Sequence, residues 1–343
     1  MSEMTKITEA DQKAIIAEAE AAVETVAAAR EAISKVIYGQ KDVVENSLTT
    51  IFAGGHALLV GVPGLAKTKL VETLGTVLGL DANRIQFTPD LMPSDIIGSE
   101  ILDQDADGKR SFRFVKGPIF AQLLMADEIN RASPRTQSAL LQAMQEREVS
   151  IAGERRPLAQ PFHVLATQNP IEQEGTYPLP EAQLDRFLLQ IDVDYPDRNT
   201  ERDILLATTG VAGAEATPVY DAGGLIELQN LVRRMPVGES VVEGILDLVR
   251  SARPGSADAS EAVTSAVSWG PGPRAAQALM LAVRARAMLN GQLAPSLDDV
   301  AALAGPVLKH HMALGFAARA EGQNLDTVIS GLVENALKRE VAA

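Results

Sequence analysis

A short loop between an apolar segment and a helical segment constrains this chain more than any other feature. Residues 56–60 are a short apolar run, and the loop that follows, residues 61–68, reads GVPGLAKT. It fits the phosphate-loop pattern G-x-x-x-x-G-K-[ST] at every position but one, because Ala66 replaces the second glycine. Apolar residues at helical spacing follow the loop. The sequence therefore predicts strand, loop and helix, the context that this pattern requires.

In such a loop, backbone N–H groups and the N-terminus of the following helix point at bound phosphate. Lys67 is expected to add a positive charge, and the Thr68 hydroxyl is expected to be a Mg²⁺ ligand. The missing glycine matters only if position 66 needs a positive φ or a very close backbone approach, and alanine tolerates a helical φ well. The alternative is an ordinary Gly/Pro turn before a helix. The residues expected to surround the phosphates are Gly61, Pro63, Gly64, Leu65, Ala66, Lys67 and Thr68.

A second apolar strand is predicted to end in two acids. Residues 123–132 read LLMADEINRA, which places Asp127 and Glu128 at the C-terminal end of the strand. Asp127 is the candidate carboxylate for a Mg²⁺ that bridges phosphates. Glu128 is the candidate base or water-positioning group for hydrolysis. The alternative, a strand end that happens to be acidic, is less favoured because a phosphate loop precedes it.

Three further polar residues are candidates for phosphate chemistry. Asn169 ends a buried strand in ATQNP and suits contact with an attacking water or a phosphate oxygen, although a turn before Pro170 explains it as well. Arg186 precedes a strand and is a candidate for reaching the phosphates of a neighbouring subunit, the alternative being an ion pair with Asp185 or Glu181. Arg274 opens a helix and is either a lid arginine for the terminal phosphate or a solvated helix-start residue.

Composition narrows the class of protein. The length of 343 residues favours two domains, and a net charge of −14 disfavours general binding of nucleic acid. The chain has no cysteine, which excludes disulfides and thiolate metal sites. No segment has the length and apolarity of a membrane span, and the first residues lack the apolar core of a signal peptide. These features predict a cytoplasmic protein without membrane insertion.

The patterning predicts an α/β part followed by an all-helical part. We expect an N-terminal helix in residues 1–35, an α/β domain in 36–196, a linker in 197–222 and a helical domain in 223–343, with no convincing strand after Asp197. Polar, alternating segments near 97–116 and 149–160 predict two β-hairpin insertions in the α/β domain.

These motifs, in this order, resemble the MoxR family of AAA+ ATPases. The resemblance rests on VIYGQ, GVPGLAKT, MADEINRA, ATQNP, LPEAQLDRF and GPGPRA, and covers about residues 30–340. That family writes its phosphate loop as GxPGxAKT, so Ala66 agrees with it. The resemblance implies a three-layer αβα domain with a parallel sheet and a smaller all-α lid. One difference is Gly272, which stands where a serine is expected before Pro-Arg.

The resemblance also implies roles for individual residues. Asp127 and Glu128 look like the Walker B pair, Asn169 like sensor 1, Arg186 like the arginine finger and Arg274 like sensor 2. Ile37 and Gly39 stand where the family brackets adenine. The two hairpins look like the helix-2 insert and the pre-sensor hairpin.

Family membership would imply Mg²⁺-dependent ATP hydrolysis by a ring oligomer, commonly a hexamer. Such rings often act with a von Willebrand A domain protein as chaperones that mature metalloenzymes or activate other protein complexes. We therefore expect ATP and Mg²⁺ as ligands, and a homo-oligomer with a protein client. The alternatives are a nucleic-acid motor, which the net charge of −14 disfavours, a nucleotide-binding scaffold without hydrolysis, and a motor subunit of a metal chelatase.

Overall fold

Strands are concentrated in the first two thirds of the chain. The computed structural model describes residues 9–104, 110–172, 175–209 and 215–341. The strands are β1 (Ala57–Val60), β2 (Ala82–Gln86), β3 (Gly98–Gln104), β4 (Arg110–Lys116), β5 (Leu123–Asp127), β6 (Glu148–Ile151), β7 (Glu154–Pro157), β8 (His163–Gln168), β9 (Leu189–Asp192), β10 (Val267–Trp269) and β11 (Ala313–Leu314).

Helices occur along the whole described chain, and none of those described is long and apolar enough to cross a membrane. They are α1 (Glu9–Ser34), α2 (Lys41–Phe52), α3 (Lys67–Val77), α4 (Pro93–Ile97), α5 (Pro134–Glu146), α6 (Glu181–Leu184), α7 (Arg198–Thr208), α8 (Ala222–Arg234), α9 (Glu239–Ser251), α10 (Glu261–Ala266), α11 (Pro273–Leu289), α12 (Leu297–Leu308), α13 (Phe316–Ala320) and α14 (Leu325–Val341). Short 3₁₀ turns follow β5 (Ile129–Arg131) and α12 (Lys309–His311).

A five-stranded parallel sheet in the order β2-β5-β8-β1-β9 organises the first part of the chain. Its inner strands β1, β5 and β8 are buried almost throughout, as expected for strands covered on both faces. Helix α2 packs on β9, and α3 packs on β2 and β5. The register places Gln86 beside Asp127 and Val60 beside Gln168, so the carboxyl ends of these strands lie at one edge. The predicted three-layer fold with a parallel sheet is confirmed.

Both predicted hairpin insertions form in the structure. β3 pairs antiparallel with β4, and β6 pairs antiparallel with β7; the tip of the first hairpin, residues 105–109, lies outside the described residues. The two hairpins contact each other through Arg156, whose guanidinium carbon lies 4.1 Å from the centre of the Phe114 ring. Arg156 also lies 3.8 Å from a carboxylate oxygen of Glu100. One arginine therefore joins the two insertions.

The chain forms two compact units, residues 32–222 and residues 1–31 with 223–343. The sequence analysis predicted a separate N-terminal helix in residues 1–35 and a linker in residues 197–222. In the structure, neither segment is separate, because each belongs almost entirely to one of the two units. Most of α1 lies in the helical unit, where Glu18 pairs with Arg234. Helix α7 and residues 215–222 lie in the α/β unit, where the Val219 and Tyr220 backbone N–H groups donate to the Val77 carbonyl at 2.8 and 3.0 Å.

The helical unit contains one feature that contradicts the sequence analysis. β10 and β11 form a two-stranded antiparallel ribbon, although no strand was expected after Asp197. The two strands have three and two residues, which is too short to produce a recognisable alternation of apolar and polar side chains.

Two histidines are buried at the start of the paired strands β1 and β8: His56 directly precedes β1, and His163 is the first residue of β8. His56 Nδ1 accepts a hydrogen bond from the Val164 backbone N–H at 2.9 Å, and His163 Nδ1 donates to the Gly55 carbonyl at 2.8 Å. Burial, assisted by the charge that His163 would carry, lowers the pKa of His56 to about 3. Burial also lowers the pKa of His163 to about 4. Both rings are therefore neutral in the folded protein at neutral pH.

We expect this pair to make the α/β unit sensitive to acid. Between pH 6.5 and about 4 the unfolded chain binds protons that the folded chain does not, so stability falls as pH falls. Each histidine contributes a slope of roughly 1.4 kcal/mol per pH unit in that window. A His163→Asn variant keeps a side-chain N–H donor but cannot titrate. Urea unfolding at several pH values should show a shallower decline for the variant, and equal slopes would contradict the assignment.

Candidate active site

The predicted phosphate loop and the predicted acidic strand end meet in one cavity of about 500 Å³ at the carboxyl edge of the sheet. The cavity lies entirely within the α/β unit. Its lining residues are Pro63, Gly64, Leu65, Ala66, Lys67, Thr68, Lys69, Arg84, Gln86, Asp127, Glu128, Thr167 and Asn169.

The loop starts directly at the end of β1. The Gly61 backbone N–H donates to the Gln168 carbonyl at 3.1 Å, and a Cβ at Gly61 would lie 2.4 Å from the Val193 carbonyl oxygen. Only glycine therefore fits where the loop leaves the sheet. Lys67 is the first residue of α3, and its ammonium group donates to the Gly61 and Val62 carbonyls at 2.5 and 3.1 Å. Burial lowers the pKa of Lys67, and the charges of Asp127 and Glu128 oppose that shift.

Ala66 has the left-handed conformation that the sequence analysis named as the condition under which a missing glycine matters. Its φ is 56° and its ψ is 20°, immediately before α3 begins. The expectation that alanine here adopts a helical φ is therefore wrong. A left-handed alanine costs about 1–2 kcal/mol because its Cβ approaches the following carbonyl oxygen. The left-handed conformation of Ala66 turns the backbone from the loop into α3.

We expect Ala66→Gly to stabilise the α/β unit by roughly 0.5–1 kcal/mol, because relief of the left-handed strain exceeds the added freedom of the unfolded chain. Ala152→Gly is a matched control, since Ala152 has a φ of 51° in the turn between β6 and β7. Urea unfolding should show similar gains for both variants. A loss of stability in Ala66→Gly alone would show that the Ala66 methyl group makes a contact worth more than the strain.

Asp127 and Glu128 are held by one hydroxyl group. Thr167 Oγ1 donates to Asp127 Oδ1 at 2.5 Å and accepts from the Glu128 backbone N–H at 2.8 Å. Glu128 also has a left-handed φ of 55°. Its carboxylate Oε2 accepts from Gln86 Nε2 at 2.7 Å and lies 3.2 Å from Arg131 Nε. The two carboxylates therefore have fixed and different surroundings, although they are adjacent in sequence.

Asn169 lies in the same cavity and is buried, with 6% of its surface exposed. Its Oδ1 accepts from the Ile171 backbone N–H at 3.1 Å. The Asn169 side chain therefore stabilises a turn at Pro170, as the alternative to a catalytic role predicted. The residue nevertheless lines the cavity. The turn and the candidate role are compatible.

A second cavity of about 860 Å³ shares Gly64, Leu65, Ala66 and Lys69 with the first. Ile37 lines it, as the resemblance implied, together with Tyr195, Ile204 and Leu205, which the sequence analysis did not identify. Gly39 is not among the described residues that line this cavity. Its φ is 68°, and a Cβ there would lie 1.9 Å from Thr200 Cγ2, so glycine allows the loop before α2 to approach α7.

The two remaining candidate arginines are not among the described residues that line the phosphate-loop cavity. Arg186 follows α6 in the α/β unit, is half-buried, and precedes the fully buried Phe187. Arg274 is the second residue of α11 in the helical unit, after Pro273, and is exposed. Both residues have interactions within the described structure.

Comparison with known proteins agrees with this arrangement. Residues 56–189 match the family described as "ATPase family associated with various cellular activities (AAA)", and residues 259–331 match the AAA lid domain. The chain is 41% identical over 311 residues to Chaperone MoxR1 of Mycobacterium tuberculosis, which covers 91% of this chain and 81% of that protein. It belongs to the MoxR family of AAA+ ATPases.

Other relatives are consistent with this membership. Protein MoxR of Paracoccus denitrificans is 32% identical over 305 residues, which covers 83% of this chain and 88% of that protein. A crystal structure of a proposed ATPase from Cytophaga hutchinsonii superposes with a TM-score of 0.86 at 37% identity, covering 94% of this chain and 97% of that chain. The predicted family is thus confirmed, as is the predicted α/β domain followed by a lid.

The donor set of this MoxR-family chain suits Mg²⁺. The Thr68 hydroxyl and the Asp127 carboxylate both line the phosphate-loop cavity, and oxygen ligands of this type are those that Mg²⁺ prefers. Mg²⁺ is usually held by one or two such groups together with phosphate oxygens and water. The residues present therefore fit the metal that the family implies.

Four residues that line the cavity of this MoxR-family chain were not predicted from the sequence, namely Lys69, Arg84, Gln86 and Thr167. Arg84 NH2 donates to Asp127 Oδ2 at 2.5 Å and to Gln86 Oε1 at 3.0 Å. Arg84 and Gln86 lie on β2, whose side chains are mostly exposed and whose sequence matches no phosphate motif. The sequence contains no signal for Arg84 and Gln86, because only the pairing of β2 with β5 places them beside the acidic strand end.

Proposed function

We propose that this protein hydrolyses ATP in a Mg²⁺-dependent reaction and uses the energy to remodel or activate a protein partner. The observation that supports hydrolysis most directly is the presence of Lys67, Thr68, Asp127, Glu128 and Asn169 around one cavity. A nucleotide-binding scaffold would need the loop alone, whereas this cavity also contains a candidate base.

Binding of the triphosphate depends on the loop and on Lys67. The backbone N–H groups of residues 64–68 lie at the N-terminus of α3, where the helix dipole favours negative charge. Lys67 would exchange its hydrogen bonds with the loop carbonyls for phosphate oxygens. Adenine would lie in the second cavity, where Ile37, Tyr195 and Leu205 offer apolar surface. Gly39 would support adenine binding indirectly, because the absence of a side chain lets the loop before α2 approach α7.

Hydrolysis depends on Glu128 and Asn169. Glu128 would accept a proton from the attacking water, or orient it, while the Asn169 amide group would hold the water or a phosphate oxygen. Thr68 and Asp127 would hold Mg²⁺, which neutralises the charge that develops on the phosphate oxygens. Arg186 would supply a further positive charge from a neighbouring subunit, and Arg274 would contact the terminal phosphate from the lid.

The chaperone role is supported by the relatives, one of which is named as a chaperone. We further propose that the active form is a hexameric ring, which acts with a von Willebrand A domain protein on a client such as a maturing metalloenzyme. Contact between the two hairpins through Arg156 and Phe114 would let them move together as the nucleotide state changes. A cytoplasmic location stays a prediction from the sequence.

The decisive assay is phosphate release by the purified protein with ATP, with and without Mg²⁺. Turnover that a chelator abolishes is expected. The nucleic-acid motor is the main alternative, and strong stimulation of turnover by DNA or RNA would favour it. A requirement for a tetrapyrrole and a second subunit would favour a metal-chelatase motor. Absence of turnover alone and with a von Willebrand A partner would overturn the proposed hydrolysis.

A further inference from the structure

Arg84 lines the cavity, contacts Asp127 directly and is linked to Glu128 through Gln86. It lies on β2, two residues before Gln86, so both side chains are on the same face of the strand. β2 pairs in parallel with β5, and the register sets Gln86 opposite Asp127. The strand pairing therefore brings an arginine and an amide to the acidic end of β5.

One nitrogen of Arg84 contacts two acceptors. NH2 donates to Asp127 Oδ2 at 2.5 Å and to Gln86 Oε1 at 3.0 Å. The oxygen of the Gln86 amide accepts the hydrogen bond from Arg84. The NH₂ group of the same amide therefore points away from Arg84. There, Nε2 donates to Glu128 Oε2 at 2.7 Å. Arg84 therefore determines which group of the Gln86 amide faces Glu128.

The ion pair between Arg84 and Asp127 partly neutralises the negative charge of the Asp127 carboxylate. Its other oxygen, Oδ1, accepts from Thr167 at 2.5 Å, so both carboxylate oxygens have donors. The Asp127 side chain is only 13% exposed, whereas Arg84 is 50% exposed. A half-exposed cation paired with a largely buried carboxylate weakens the attraction of that carboxylate for a second cation.

We infer that Arg84 is a positioning residue for both carboxylates: it competes with the metal for Asp127 and, through Gln86, sets the hydrogen bond to Glu128. This inference rests on the proposed ATP hydrolysis. It assigns Arg84 two separable effects. One effect is on the Mg²⁺ requirement for nucleotide binding, and the other is on the turnover rate at saturating Mg²⁺ and ATP.

The first effect is measured without catalysis. Binding of a fluorescent, non-hydrolysable ATP analogue is titrated with Mg²⁺ for wild type, Arg84→Ala and Arg84→Lys. The Mg²⁺ concentration at half-maximal binding should fall roughly two- to five-fold in Arg84→Ala, the range expected for loss of a half-exposed ion pair. Arg84→Lys keeps the positive charge and should resemble wild type. An unchanged or increased Mg²⁺ requirement in Arg84→Ala would overturn the competition with the metal.

The second effect is measured with a double-mutant cycle. Arg84→Ala should lower kcat about tenfold in the wild-type background, the size expected for loss of an outer-shell partner. It should have no further effect on kcat in a Gln86→Ala background, because Arg84 acts on Glu128 only through Gln86. Additive losses would show that Arg84 does not act through Gln86.

A matched control separates these effects from general loss of an arginine. Arg113 pairs with Asp103 at 2.8 Å on the hairpin, is 61% exposed and does not line the described cavity. Arg113→Ala should leave both readouts unchanged, and thermal unfolding should confirm that all variants are folded. If wild type hydrolyses ATP and Arg84→Ala matches it in both readouts, this inference alone fails. If wild type neither binds nor hydrolyses ATP, the proposed function fails and this inference with it.

Discussion

Glu128→Gln is expected to lower ATP turnover by roughly 10²–10⁴-fold while leaving nucleotide binding intact, because the substitution removes the proton acceptor but preserves the size of the side chain. The structure favours a selective effect. The Glu128 backbone is fixed by its left-handed φ of 55° and by the Thr167 hydroxyl, neither of which depends on the carboxylate. Lys67 and Thr68, which we propose bind phosphate and Mg²⁺, are also unchanged.

Steady-state phosphate release and equilibrium binding of an ATP analogue together test this prediction. Glu72→Gln is a matched control, since it is the same substitution on an exposed position of α3. The control should keep wild-type turnover. A Glu128→Gln variant that hydrolyses ATP as fast as wild type would remove Glu128 from the proposed mechanism, and a variant that no longer binds nucleotide would show that the residue is structural.

The parts of the site that the sequence could predict are those in which a local pattern determines a position. The loop of residues 61–68 requires a strand before it and a helix after it, and the acids of β5 follow a run of buried residues. Because parallel strands end at the same edge, these separate segments were expected to meet. Pairing of β1 with β8 and of β5 with β8 brings them together.

The parts that the sequence could not predict depend on tertiary contacts. Arg84 and Gln86 belong to a mostly exposed strand, and only the pairing of β2 with β5 gives them access to Asp127 and Glu128. The left-handed conformation of Ala66 is a further example, since alanine favours a helical φ and the surrounding loop overrides that preference.

The second cavity shows the same limit. Ile37 was expected from the resemblance, but Tyr195 and Leu205 come from the end of the α/β pattern and from α7, a helix assigned to a linker. Nothing in the amphipathic pattern of α7 distinguishes a side chain that lines a cavity from one that packs against a neighbour. Only the tertiary structure shows that Leu205 lines this cavity.

Arg186→Ala is expected to lower turnover by roughly 10³-fold or more, with ATP binding retained, if its guanidinium completes the site of a neighbouring subunit. Its position is compatible with this role, because Arg186 does not line the described cavity of its own chain, whereas the proposed catalytic residues Glu128 and Asn169 do. The specific activity of wild type should also rise with protein concentration, since a shared site requires assembly.

Mixing two inactive variants provides the sharpest test. In a mixed ring, an Arg186→Ala subunit keeps Glu128, and an adjacent Glu128→Gln subunit supplies Arg186, so some sites contain both groups. With random mixing in equal amounts, about a quarter of the interfaces of a head-to-tail ring have this arrangement, and activity up to that fraction should return. If Arg186 acts only within its own chain, every subunit in the mixture lacks one essential group, and the mixture stays inactive. Recovery therefore requires that the arginine and the glutamate act across a subunit interface.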